Sequence, residues 1–266
     1  MARMLAATVA TMLLATAPAH AAPAPRIIGG TQAAPGAAPY MAALLDRTRR
    51  NEFDCGGAVV APTVVVTAAH CIEPFRAEWL LVRVGSNDLR SGGRLVRVVA
   101  APIHQKYDRD IKANDVGVLR LAEPVSVPPI ALPNVAEDAA LSAPGRPVTA
   151  YGWGAVDIGT KPQRFLREGV TRVVGGGACS KSWRKLEPTL VLNQRFKVCA
   201  EGASNFRPDT CRGDSGGPLV GVDPTGRPVL LGITSFGGPK CGRPPVGIYT
   251  RVLPYEGFIG RASRAG

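Results

Sequence analysis

Aromatic residues are scarce in this 266-residue chain, at 6% of the total, and histidine is scarcer still, at three. That scarcity, set beside 31 glycines and 24 prolines, disfavours a few long helices and favours many short elements joined by tight turns. All-β architecture is therefore expected. Cysteines in CxxC pairs and clusters of histidine are both missing, so a zinc site has little support, and no metal or other cofactor is expected. Acidic residues fall short of basic ones, 20 against 32, for a formal net charge of +12. No nucleic-acid recognition motif or aromatic-interleaved stripe accompanies the arginines, whose densest runs lie from Arg47 to Arg50 and from Arg164 to Arg172. The basic balance thus reads as a solvated surface and not as a nucleic-acid site. Mean hydropathy is near zero, which argues against a polytopic membrane protein.

The one long apolar stretch, Met4 to Leu14, is interrupted by Thr8 and Thr11, and Pro18 follows it, short of the roughly 20 unbroken apolar residues of a membrane span. Arg3 precedes the stretch and Ala19, His20 and Ala21 close it, the pattern of a secretory signal peptide over residues 1–21. A secreted, extracellular protein is expected, with no membrane association. All six cysteines come after the leader, and an even number in an oxidising compartment reads as disulfides. Six cysteines allow 15 pairings, and spacing alone leaves them open.

Beyond the leader the histidines are His70 and His104. His70 follows Val64, Val65, Val66, Thr67, Ala68 and Ala69, a β-branched strand whose last small residues let the chain turn and present an imidazole beside Cys71. His104 lies in a polar stretch and reads as solvent-facing or structurally hydrogen-bonded. In the segment from Asp209 to Pro218, Ser215 is flanked by Gly213, Gly216 and Gly217. Glycines free the backbone to aim N–H groups inward, and acyl transfer to a serine hydroxyl needs fixed donors for the oxyanion it creates. Gly213 and Ser215 are the candidate donors. Of Asp108, Asp110 and Asp115, only Asp115 abuts the apolar run Val116 to Leu121 that would bury it near His70, although an aspartate there by itself reads as a strand-start or turn residue.

TAAHC at Thr67 to Cys71, NDVGVLRL at Asn114 to Leu121 and GDSGGP at Gly213 to Pro218 resemble the trypsin-like serine proteases of the chymotrypsin family. The likeness runs from RIIGG at Arg26 through CGG at Cys55 and YGWG at Tyr151 to IYTRV at Ile248. It implies two packed antiparallel β-barrels, about residues 27–133 and 134–250 of a protease domain spanning 27–266, with a short C-terminal helix from Pro254. Strands are expected at Val59 to Thr67, Leu80 to Val84, Leu95 to Val99, Val116 to Leu121, Val229 to Ile233 and Gly247 to Arg251. By the same resemblance Ser215 is the nucleophile, His70 its base and Asp115 the carboxylate that fixes the imidazole. Cys55 pairs with Cys71, Cys179 with Cys199 and Cys211 with Cys241.

The resemblance further implies that Asp209 floors the primary specificity pocket, with Gly237 and Gly247 as its walls and Ser235 to Gly237 pairing with substrate backbone. A buried carboxylate seeks a cation, so substrates with Arg or Lys at the cleaved bond are expected. Residues 22–26 become an activation propeptide, and cutting after Arg26 frees an Ile27 amine to pair with Asp214. Polypeptide substrates and proteinaceous inhibitors are the expected partners of a monomer. The sequence departs from the trypsin pattern at Phe236, Arg212 and Val246, where trypsin has Trp, Gln and Pro. The loop Gly85 to Arg94 holds Asp88 as its single carboxylate, which argues against a calcium site there. A catalytically dead, surface-binding homologue is the rival, and the intact triad residues speak against it.

Overall fold

Short Val-rich runs broken by glycine and proline fold as the composition suggests, into thirteen strands, four short α-helices and three 3₁₀ turns among the residues that the computed structural model describes, 28–157, 159–205 and 207–264. The expected leader, propeptide and Ile27 lie outside the described residues. The elements are β1 Thr31–Gln32, β2 Met41–Asp46, β3 Glu52–Ala61, β4 Val64–Thr67, α1 Ala69–Ile72, β5 Leu80–Val84, β6 Arg94–Ala100 and β7 Gly117–Leu121. After them come α2 Val135–Leu141, β8 Pro147–Gly152, β9 Arg167–Val174, α3 Gly176–Trp183, β10 Lys197–Gly202, β11 Pro218–Val222, β12 Pro228–Phe236, β13 Gly247–Arg251 and α4 Glu256–Arg264.

β2, β3, β4, β7, β6 and β5 close into one antiparallel barrel. The second ring runs β9, β10, β13, β12, β11, β8, and the β8–β9 pairing closes it. Closure leaves no open edge in either ring, and buried valines and leucines fill the interiors. Val59, Val65, Val66, Val82 and Val118 do so in the first barrel, and Val148, Val198, Leu219 and Leu231 in the second.

Two chain segments cross the expected barrel boundaries. β1, from the first half, pairs with β9 of the second barrel. At the other end α4 returns to pack on β7, and Ile259 and Ala262, with Tyr255 in the 3₁₀ turn just before it, are buried in the first barrel's core. The expected strand Val59 to Thr67 is two strands, because the chain turns at Pro62–Thr63 and β3 pairs with β4 as a hairpin. Pro62 has no N–H to carry the ladder onward.

Candidate active site

His70 sits on α1, one turn of helix that follows β4. β4 pairs with β7 in the register Val65 with Leu119, Val66 with Val118 and Thr67 with Gly117. Extended two residues further, that register sets Asp115 opposite Ala69, beside His70. The Asp115 carboxylate is fully buried and accepts from the His70 backbone N–H at 3.0 Å and from Nδ1 at 2.8 Å. A carboxylate can only accept, so Nδ1 carries the proton and Nε2 is left as the basic nitrogen.

A third bond reaches the same carboxylate from the other barrel. The pairing of β12 with β13 slips between Thr234 and Phe236, and such a bulge re-aims a side chain. Here Ser235 Oγ donates to Asp115 Oδ2 at 2.6 Å. Burial pulls the Asp115 carboxyl up, but the hydrogen bonds and charge of His70, with the Ser235 hydroxyl, outweigh it and hold the group below its ordinary value.

Ser215 lies in the turn between β10 and β11. β3 organises both sides of the cleft, since the Cys55–Cys71 disulfide ties it to α1 while Gly56 N–H donates to Ser215 C=O at 2.8 Å. Gly216 has φ +77°, and a Cβ there would stand 2.2 Å from Thr67 Oγ1 and 3.2 Å from Cys71 Sγ. Only glycine lets the residue after Ser215 approach the segment that carries His70 this closely. Gly213, at φ +93°, bends the same turn. Among the described residues the Gly213 and Ser215 N–H groups have no hydrogen-bond acceptor, and the Ser215 hydroxyl has no partner. The structure thus joins His70 to Asp115 and brings Ser215 to the same cleft, without a hydrogen bond from Ser215 to His70.

A cavity of about 280 Å³ opens beside Ser215, walled by Thr210, Arg212, Ser235, Phe236 and Gly237. Asp209 and Gly247 lie outside its wall. The Asp209 carboxylate accepts from Gly242 N–H at 2.7 Å, and its other oxygen is 3.4 Å from where a Cβ on Gly247 would stand. Burial pushes the Asp209 carboxyl up to about 6 against the Gly242 and Thr210 N–H groups, and among the described residues no cation pairs with it. Phe236 and Gly237 also border a larger, mostly apolar cavity of about 640 Å³, which Trp183, Leu190 and Leu192 help to line.

Asp214 is fully buried and accepts from Gly154 N–H at 2.7 Å and Cys211 N–H at 2.8 Å. Burial raises it to about 7, and among the described residues it too has no cationic partner. Nearby, Ile28 is buried and its carbonyl accepts from Asp209 N–H at 3.2 Å. Arg26 and Ile27 lie outside the described residues.

The three disulfides form as the resemblance implied, and among the described residues no cysteine is free. Cys55, His70 and Cys71 cluster, but a disulfide offers no thiolate to a metal. Asp88 pairs with Arg164 at 2.8 Å. His104 is structural, with its ring edge-on to Tyr255 and Phe258 and Nδ1 accepting from Lys106 N–H at 3.3 Å.

Sequence reasoning passed over Lys197, whose ammonium is buried behind Ser235. A lysine in a strand ordinarily reads as solvent-facing. The available signal was its position between Phe196 and Val198, in a segment bound by the Cys179–Cys199 disulfide.

Comparison with known proteins agrees with this geometry. A family model described as Trypsin matches residues 27–259. "Clotting factor G beta subunit" of Tachypleus tridentatus is 34% identical over 247 residues, covering 88% of this chain and 78% of that protein. "Trypsin" of Saccharopolyspora erythraea is 34% identical over 242 residues, 90% of this chain and 99% of that protein. "Transmembrane protease serine 9" of Rattus norvegicus is also 34% identical, but the match covers 22% of its length. With two barrels closed around the cleft, a family model over nearly all the described residues and these relatives, the chain belongs to the trypsin family of serine endopeptidases.

Proposed function

We propose that the protein is a secreted endopeptidase that cuts polypeptides after Arg or Lys through an acyl-enzyme, and that it is made as a zymogen activated by cleavage after Arg26. Ser215 Oγ attacks the carbonyl carbon of the scissile bond as its proton passes to His70 Nε2. Asp115 keeps the Nδ1 proton in place and stabilises the imidazolium. The N–H groups of Gly213 and Ser215 receive the oxyanion. Collapse of the tetrahedral species breaks the C–N bond, and the His70 proton goes to the leaving amine. Water, activated by the same imidazole, then releases the acyl group and restores Ser215.

One observation carries the cation preference: the buried Asp209 carboxylate beside the Ser215 cavity has backbone donors but no described cation. A substrate guanidinium or ammonium would supply the missing charge, whereas an apolar side chain would leave it stranded. Gly247 keeps the approach to that carboxylate open, Gly237 leaves the cavity wall without a side chain, and Ser235 to Gly237 offer backbone to a substrate strand. Activation is supported by Asp214, another buried carboxylate lacking a described cation, and by the seating of Ile28 against Asp209, next in the chain to the expected new terminus. The apolar lining of the larger cavity suits uncharged residues ahead of the cleaved one.

Secretion rests on the leader, and among the described residues no helix is long and apolar enough to cross a membrane. The protein acts as a monomer, with protein inhibitors as its regulators. Hydrolysis of matched peptides ending in Arg, Lys, Phe or Ala at the cleaved bond, by protein whose terminus is verified as Ile27, tests the reading. Preference for Arg and Lys is expected, and equal or greater turnover of Phe peptides would refute it.

A further inference from the structure

Lys197 is the buried ammonium that the mechanism above does not use. Its residue is 6% exposed, and Nζ donates to Lys112 C=O at 2.6 Å, Ser235 Oγ at 3.4 Å and Thr250 Oγ1 at 3.4 Å. An ammonium has three protons, and each has an acceptor here. The acceptors come from three parts of the fold: the loop that leads into Asp115, the bulge of β12 and strand β13. Lys112 itself has φ +51°, a left-handed conformation uncommon for a residue with a side chain, and Asn114 shares it at +50°. The ammonium thus holds the backbone of a turn that ends at the Asp115 carboxylate.

The second link is electrostatic. Ser235 has one hydroxyl proton, which goes to Asp115 Oδ2 at 2.6 Å, so its oxygen is left to accept from Lys197. A continuous chain results, from ammonium to hydroxyl to carboxylate to imidazole. We propose that Lys197 is a positioning residue of the proteolytic site: through Ser235 and the Lys112 turn it holds the Asp115 carboxylate, and its charge offsets part of that carboxylate's pull on a proton at His70. This rests on the proposed roles of Asp115 and His70.

Links of 3.4, 2.6 and 2.8 Å in series put Nζ within about 9 Å of His70 Nδ1. A unit charge at that separation, in an effective dielectric of about 20, is worth about one pH unit in the titration of its neighbour. Burial lowers the ammonium to about 8, with the Asp115 charge acting against that fall, so Lys197 keeps its charge at acid pH. Among the described residues the other titratable or charged groups near the cluster are Lys112, Tyr107, Tyr255 and the Glu73–Arg109 pair, with Asp110 and Glu187 on the wall of the cavity that Lys112 and Lys197 share. Burial raises both tyrosines, Tyr107 to about 12, so they remain neutral over the same range. Lys112, Asp110, Glu187 and the Glu73–Arg109 pair are present in every variant below, so they do not distinguish the variants.

Lys197→Met removes the charge from a long unbranched side chain. The acid limb of kcat/KM should move up by about one pH unit relative to the wild type, and Lys197→Arg should retain the wild-type limb. The His70 imidazole signal in a Ser215→Ala background, followed by NMR, should shift by the same amount without any need for turnover. Lys197→Gln, neutral but hydrogen-bonding, is expected to shift likewise and supplies the test should the Met variant not fold. A folded, neutral variant whose acid limb and imidazole titration match the wild type would overturn the proposal. Failure of the underlying reading is distinguishable, because wild-type protein would then hydrolyse peptides with no acid limb, or His70→Ala would retain turnover.

Discussion

Neutralising Asp209 by pH or by mutation should disable cation binding in step with the ionisation of its carboxyl. Burial holds that carboxyl at about 6, opposed by the Gly242 and Thr210 N–H groups. A group with that value is about nine-tenths ionised at about pH 7 and about one-tenth ionised at about pH 5. If a guanidinium or amidinium binds only the ionised form, its apparent Kd rises ~10-fold between those conditions, equivalent to about 1.4 kcal/mol. Binding should also draw the carboxyl proton off, so that near pH 6 about half a proton is released per ligand bound. Calorimetry with a small arylamidine on processed Ser215→Ala protein, in buffers of different ionisation heat, reads both quantities without interference from turnover. Asp209→Asn should bind weakly, with no pH dependence and no proton release. Equal affinity at the two pH values in the wild type, or undiminished binding by Asp209→Asn, would refute the assignment of Asp209 as the cation's partner.

Asp214 gives a stability test of activation. Burial raises its folded-state value from 3.8 to about 7, so the folded chain binds the proton more tightly. That contribution to stability is fully present below the unfolded value and is lost as pH rises through about 7, unless an ammonium arrives to favour the charged form. Unprocessed Arg26→Gln protein should therefore lose Tm between about pH 4 and pH 7 relative to protein beginning at Ile27, as read by calorimetry. Parallel Tm curves for the two forms would contradict capture of the Ile27 amine by Asp214. Arg251 tests the frame behind the site: its guanidinium reaches Asp138 at 2.6 Å and Ser142 Oγ at 2.6 Å, joining β13 to α2. Arg251→Met leaves the Asp138 charge buried and should cost about 3 kcal/mol in denaturant unfolding, and a change below about 0.5 kcal/mol would show the pair to be dispensable.

The motifs carried the site because each couples a backbone demand to a chemical group. Gly216 must be glycine where the chain after Ser215 passes Thr67 and Cys71, and the small residues Ala68 and Ala69 are buried where β4 gives way to α1. Such local constraints leave a sequence signature. The hairpin at Pro62 was less legible, since Val59 to Thr67 reads as one β-branched run, although the proline was the cue. β1 and α4 show a different limit, because nothing in a two-residue strand or a C-terminal helix says which barrel it joins; that choice is made by tertiary packing. The Ser235 bulge and Lys197 were the least legible. A bulge is a misalignment between two strands, and the apolar neighbours Phe196 and Val198 hint that Lys197 is buried but say nothing of the three acceptors assembled around it.

Everything proposed for the cleft depends on Ser215 as the nucleophile, activated by His70 on Asp115. It is tested most directly by treating processed protein with a fluorophosphonate carrying a cationic side group and locating the phosphonyl group by peptide mass mapping. One label per chain on Ser215 is expected, with labelling lost in His70→Ala and hydrolysis reduced by ~10⁴-fold or more in a folded Ser215→Ala variant. A label on another residue, or undiminished hydrolysis by Ser215→Ala, would remove Ser215 from the nucleophile's role.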